Sequence, residues 1–327
     1  MNPVAARTSA NGSLLAQLYA PIAEDLARAE ELFQGSLRSR HPYVDELAQY
    51  GCLLGGKRLR PALLLLTASA VGGVRPEHHT LAAVVEMIHT ATLIHDDVLD
   101  EADMRRHLAT VNHRWNTESS VLLAFSLAST LETTYACRMI GRSTNIVCEG
   151  ELRQVGGRGD FTLSEQEYFE IIDAKTAELC ACACRLGAYY AQAEAAVVEG
   201  MAEYGRSLGI AFQVADDLLD LLGDEEKTGK SLGTDLEKQK LTLPVIRALE
   251  QAEGTQQAEI LHWLENPSPE HRRRLREHIA ECGALEYART HAARHAARAR
   301  DLAAELQPGP AAQILAALSD FVIERSF

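Results

Sequence analysis

Apolar residues recur every three to four positions from about Leu14 to the C-terminus, the spacing that gathers them on one face of an α-helix. No stretch alternates convincingly with period two, as a half-buried strand would. Turn-forming clusters interrupt the helical pattern at wide intervals: GGVRPE (72–77), GGRGDFTLSE (156–165), GDEEKTGKSLGTD (223–235), ENPSPE (265–270) and QPGP (307–310). Between them lie roughly ten to thirteen segments of helix length. Ser164 with Glu167 three positions later predicts a capping box ahead of YFEIIDAKTAELC. Segment 283–305, rich in Ala, Arg and His, predicts a surface helix with solvated histidines. The expectation is an all-α fold.

Composition agrees with that pattern. The chain has 327 residues, 46% apolar and only 6% aromatic, which suits a large helical core and argues against disorder or a β-sandwich. With no break in composition and no low-complexity linker, residues 13–327 read as one domain, and residues 1–12 as a loose N-terminal tail. The formal net charge of −14 argues against a nucleic-acid partner, which would need a surplus of Lys and Arg. No apolar run reaches the ~18 residues of a membrane span. Cys180, Cys182 and Cys184 are two apart, so a helix would spread them around its cylinder instead of converging them on a metal. Free thiols and the lack of a secretory leader point to a reducing, cytoplasmic setting.

Against this background two acidic clusters stand out. LIHDDVLDEADMRR (93–106) ends one long apolar segment, and DDLLD (216–220) ends another. On a helix Asp96 and Asp100 lie one turn apart with Asp97 beside them, and Asp216, Asp217 and Asp220 repeat the arrangement. Like charges this close are costly unless cations neutralise them. Oxygen-only donors at this spacing suit a hard cation such as Mg²⁺, which binds through a few carboxylates plus substrate phosphates. Leu93, Ile94, Leu218 and Leu219 put both clusters at the rim of an apolar cavity. Basic residues accompany them: Lys57 and Arg60 in GGKRLRP, spaced to share a helical face, Arg105 and Arg106 after the first cluster, and Lys230 and Lys240 after the second. Two anion-binding zones around a metal-rich, apolar mouth fit a diphosphate on a hydrocarbon chain.

These segments resemble the trans-isoprenyl diphosphate synthases, the polyprenyl synthetase family. The resemblance runs through GGKRLRP, EMIHTATLIHDDVLDEADMRR, EGELRQ (149–154), KTA (175–177), FQVADDLLDLLGDEEKTGKSLGTDL (212–236) and KLTLP (240–244), in the family's order. It implies a bundle of mostly antiparallel helices around a central cavity, a homodimer, and head-to-tail condensation of an allylic diphosphate with isopentenyl diphosphate. By resemblance, Asp96, Asp97 and Asp100 with Asp216, Asp217 and Asp220 form the metal motifs, which hold about three Mg²⁺ on the allylic diphosphate. Lys57, Arg60, His89 and Arg106 match the isopentenyl diphosphate site. Arg105, Lys175, Lys230 and Lys240 match residues that grip the allylic diphosphate. Gln213 and the backbone of Lys175 and Thr176 match groups facing the developing carbocation.

Product length follows from the helix below the first cluster. Ala91 and Thr92 sit one turn before Asp96, and family members with short products tend to carry bulky aromatic residues there. Small side chains predict a longer product, roughly C30–C50. The chain departs from the family's pattern at Ala124 and Phe125, in place of a common Gly-Asp pair, and at His107, in place of a glycine. Phe125 is therefore a second candidate for setting chain length. The competing readings are a short-chain (C15–C20) synthase, a terpene cyclase, which Asp216, Asp220, Lys57 and Arg60 argue against, and a non-catalytic partner subunit, which both intact motifs argue against.

Overall fold

The computed structural model describes residues 14–36, 57–99, 104–105, 108–109, 134–222 and 234–324, with backbone alone at 94–99, 104–105, 108–109 and 234. Among them helices dominate, as the periodicity predicts. After helical residues 14–19 and a 3-10 turn (Ala20–Ile22) come α1 (Ala23–Ser36), α2 (Leu59–Val71) and α3 (Pro76–Leu99). A two-residue antiparallel pair follows, β1 (Met104–Arg105) with β2 (Leu108–Ala109). Then come α4 (Tyr135–Gly156), α5 (Glu165–Ile172), a π-helical turn (Asp173–Ala177) and α6 (Glu178–Tyr190). The chain continues through α7 (Ala195–Leu222), α8 (Thr234–Glu237), α9 (Leu243–Gln251), α10 (Gly254–Glu265), α11 (Pro269–Glu281), α12 (Ala284–Ala304) and α13 (Pro310–Glu324).

Local signals explain several boundaries. The capping box at Ser164 forms, its hydroxyl accepting from Glu167 N while the Glu167 carboxylate accepts from Ser164 N. Ser268 caps α11 through His271 N, with Pro269 at the first helical position. From Pro61 to Ala68 every residue of α2 is buried, so this helix is apolar all round and sits inside the bundle. At ~25 cal/mol per Å², each of Leu63, Leu64, Leu65 and Leu66 stabilises the fold by about 2 kcal/mol.

Two hydrophobic cores are threaded by the same two helices. The first joins α2, α3, α6 and α13 to the N-terminal half of α7 through Met201, Tyr204 and Leu208. The second joins α5, α9, α10 and α11 to the C-terminal half of α7 through Val214, Leu218 and Leu221. Helix α12 crosses both in the opposite sense, its start (Ala284–Ala292) in the second core and its end (Ala296–Ala303) in the first. It therefore runs antiparallel to α7. Tyr204 adds a fixed link, its hydroxyl donating to Leu315 O of α13 at 2.8 Å.

This corrects the expectation for 283–305. Helix α12 is not a surface helix: Ala288, Ala292, Ala296, Ala299 and Ala303 form a buried stripe. Small side chains spaced three or four residues apart let α12 lie close to α7. Its histidines are not simply solvated either. His291 is buried against Tyr287 and Phe169, and burial lowers the His295 pKa to about 4.

Candidate active site

Residues 165–190 form one helical run whose middle turn winds as a π-helix, with Glu178 N bonded to Asp173 O five residues back. Such turns are rare and frequently occur at functional sites. This one carries Lys175 and Thr176. The Lys175 ammonium lies 2.5 Å from Glu151 Oε2 and donates to Gln154 Oε1 at 2.7 Å, so one face of α4 holds it. The Thr176 hydroxyl donates to Gln213 Oε1 at 2.8 Å, and Gln213 Nε2 donates in turn to Asp217 Oδ1 at 2.9 Å.

Glycines let the flanking helices reach this turn. A Cβ on Gly150 of α4 would stand 2.8 Å from Lys175 N, and one on Gly209 of α7 would stand 2.6 Å from the Ala177 Cα. Any side chain at either position would push the π turn away.

The second acidic motif lies on the last turns of α7. Its three aspartates are not equivalent. Asp217 is buried, and both its oxygens are engaged: Oδ2 accepts from the Tyr168 hydroxyl at 2.6 Å, while Oδ1 accepts from Gln213 and from Lys240 Nζ at 3.4 Å. That bonding counts against the motif-based expectation of Asp217 as a metal ligand, because its acceptor capacity is largely spent within the protein. Asp216 and Asp220 are half-buried, and Asp220 Oδ2 also accepts from Asp235 N at 3.2 Å. Burial raises the Asp217 pKa while the Lys240 charge opposes that shift. Burial alone would lower the Lys240 pKa, but the charges of Asp217 and Asp235 override it and hold the ammonium firmly protonated. The Tyr168 hydroxyl is likewise kept protonated by burial and by the adjacent carboxylate.

The first basic motif is built differently from its expected form. Lys57 and Arg58 precede α2, so Lys57 and Arg60 do not share a helical face. Arg58 adopts a left-handed conformation (φ 48°, ψ 34°) at the helix N-cap. Its guanidinium donates to Glu30 of α1 at 2.8 and 2.9 Å and to Glu86 of α3 at 2.7 Å, which ties the start of α2 to both helices. Arg60 lies in the first turn, and its buried Nε has no hydrogen-bond partner among the described residues. A buried donor left open in this way suits a site built to receive an anion.

On α3, His89 and Thr92 are half-buried, and the Thr92 hydroxyl folds back onto His89 O at 2.8 Å. Ala91 is buried. The helix continues through Asp96 and Asp97, so His89 and Asp96 are two turns apart on one face. Asp100, Arg106, His107, Ala124, Phe125 and Lys230 lie outside the described residues, and Arg105 is described only as backbone in β1. Among the described residues no group of three or more acidic, His or Cys side chains could hold a metal. Asp216 and Asp220 nevertheless offer an oxygen-only pair one helical turn apart, the chemistry a hard divalent cation takes, and they fit as half of a two-motif site.

Several contributors had no assigned role in the sequence. Glu151 and Gln154, three apart in EGELRQ, orient Lys175; Tyr168 and Asp235 frame the second motif. The i, i+3 spacing within EGELRQ was the one local signal for the first pair.

Known proteins match this chain along most of its length. The family model described as "Polyprenyl synthetase" matches residues 41–282. The chain is 35% identical over 314 residues to an octaprenyl diphosphate synthase of Escherichia coli strain K12, covering 93% of this chain and 96% of that protein. It is 34% identical over 282 residues to a short chain isoprenyl diphosphate synthase of Methanothermobacter thermautotrophicus, covering 83% and 87% respectively. A crystal structure of a polyprenyl synthase from Caulobacter crescentus CB15, complexed with calcium and isoprenyl diphosphate, superposes with a TM-score of 0.88 at 34% identity, over 96% of this chain and 98% of that one.

Proposed function

This chain belongs to the polyprenyl synthetase family and is a trans-polyprenyl diphosphate synthase, and on that premise we propose that it condenses an allylic diphosphate with isopentenyl diphosphate in a Mg²⁺-dependent head-to-tail elongation, ending at roughly C30–C50. The observation that carries this reading is the unbroken chain of contacts from Glu151 and Gln154 through Lys175, Thr176, Gln213 and Asp217 to Tyr168 and Lys240. It puts a cation, an amide oxygen and the second acidic motif in one fixed arrangement. Asp216 and Asp220, with Asp96, Asp97 and Asp100 of the first motif, would hold the Mg²⁺. When bound, the metal supplies charge stabilisation to the departing diphosphate.

The side chains divide the remaining work. Lys175, Lys240, Arg105 and Lys230 hold the allylic diphosphate, and Lys57, Arg60, His89 and Arg106 hold isopentenyl diphosphate. Gln213 donates to Asp217 and accepts from Thr176, so its Oε1 cannot rotate away and presents its remaining lone pair to a developing allylic cation. Apolar walls exclude the water that would quench that cation. Small side chains at Ala91 and Thr92 leave room for the growing tail. The chain acts as a homodimer in the cytoplasm; among the described residues no helix is long and apolar enough to cross a membrane.

The likeness to the short chain isoprenyl diphosphate synthase supports a second reading, a C15–C20 product. The test is to incubate purified protein with Mg²⁺, radiolabelled isopentenyl diphosphate and farnesyl diphosphate and to resolve products by chromatography. A ladder ending within C30–C50 supports the proposal, and a stop at C15–C20 supports the second reading. No elongation from any allylic primer would overturn both in favour of a non-catalytic partner subunit.

A further inference from the structure

Helix α7 bears one longitudinal stripe, Arg206, Gly209, Gln213, Asp216 and Asp220, spaced three, four, three and four residues apart. The lower part of this stripe is the acidic motif and the glutamine already described. The upper part is directed at the π turn. The Arg206 guanidinium sends one arm, NH1, to Asp173 and the other, NH2, to Glu178 Oε2 at 2.8 Å. Asp173 is the first residue of the π turn and Glu178 the residue immediately after it. One rigid fork therefore grips both ends of the turn. Glu178 is buried and is held on its other oxygen by the Ser143 hydroxyl of α4 at 2.7 Å.

We propose that Arg206 is a positioning residue of the elongation reaction: by bridging Asp173 and Glu178 it holds the π turn at the register in which Lys175 and Thr176 face the substrate. A π turn spans its backbone bond with one residue more than the ordinary helix on either side of it. Fixing the distance between its ends opposes relaxation to that geometry, which would rotate Lys175 and Thr176 relative to Gln213. Gly150 and Gly209 leave the turn no lateral room, so end-to-end clamping and side-to-side confinement act together. Arg206 itself lies ten residues, nearly three turns, before Asp216 and takes no part in holding metal or diphosphate.

The inference rests on the proposed elongation activity, and steady-state kinetics separate the two. Wild type, Arg206→Met, Arg206→Lys and Gly209→Ala are compared for kcat, for KM of each substrate and for thermal unfolding. Arg206→Met is expected to lower kcat by about 10²-fold, the cost of a misplacement near 1 Å. It should raise KM for the allylic diphosphate while leaving KM for isopentenyl diphosphate within about twofold, since Lys57 precedes α2, Arg60 lies on α2 and His89 on α3, away from the π turn. Lysine keeps the charge but has no fork, so Arg206→Lys should lose about tenfold. Gly209→Ala, which displaces the turn from the other side, should show the same split between the two KM values. Should Arg206→Met fail to fold, Arg206→Lys and Gly209→Ala decide the matter. An active wild type whose Arg206 variants keep kcat within about twofold, or lose both substrates equally, overturns the inference alone. A wild type without turnover overturns the activity and the inference together.

Discussion

Replacing Arg58 by Met removes the guanidinium that ties α2 to α1 and α3, and the structure sets the size of the effect. The Glu86 side chain is only 6% exposed, and its other oxygen already lacks a hydrogen-bond partner among the described residues. Losing Arg58 strands a buried carboxylate, which costs about 3–5 kcal/mol. The Glu30 contact, at 30% exposure, adds less than about 1 kcal/mol, and the guanidinium over the Phe33 ring about 0.5–1 kcal/mol. At roughly 2 °C per kcal/mol for a chain of this size, Tm should fall by at least about 6 °C. The diagnostic comparison is Arg58→Met with Glu86→Met, because exchanging both partners for apolar groups is close to neutral. Differential scanning calorimetry should find the double variant more stable than the single one. A single variant melting within about 1 °C of wild type, or a double variant no better than the single, would refute the reasoning.

Tyr168→Phe deletes the 2.6 Å donor to buried Asp217 and should cost about 1.5–3 kcal/mol in thermal unfolding, with kcat/KM falling as Asp217, the common anchor of Gln213 and Lys240, is held less firmly. His295 has its pKa lowered by burial to about 4 against an ordinary 6.5, so the unfolded chain binds the extra proton first as pH falls. Its contribution to stability is therefore present above about pH 6.5 and lost between about 6.5 and 4; His295→Gln should flatten the acid limb of a Tm–pH profile in that window, and an unchanged limb would contradict it. Ala91→Tyr should shorten the longest product on the same chromatogram used for wild type, and an unaltered ladder would remove the channel argument.

How much of this was legible beforehand depends on how local each determinant is. The capping box at Ser164 was readable because both its halves lie within four residues. The two acidic motifs and their helices were readable for the same reason. The Ala stripe of α12 is hidden in the sequence because its flanking Arg and His residues make the average polar, whereas the spacing of the alanines is what buries the helix. Asp217 looks like its neighbours in the sequence; only Tyr168, 49 residues away, and Lys240, 23 away, turn it inward. The left-handed turn at Arg58 is likewise imposed from outside, by carboxylates 28 residues to either side. No local propensity encodes it. The π turn depends on Arg206, 33 residues from Asp173 and 28 from Glu178, so no window of sequence around KTA could show it.

If the chain alone performs metal-dependent elongation through its second acidic motif, isopentenyl diphosphate incorporation by purified wild type and Asp216→Asn, each across a Mg²⁺ titration starting from a chelated sample, will show it. Incorporation by wild type should rise from background with Mg²⁺, and Asp216→Asn should lose about 10²–10³-fold at unchanged Tm. Incorporation that persists in chelator, or an Asp216→Asn rate equal to wild type, would contradict it.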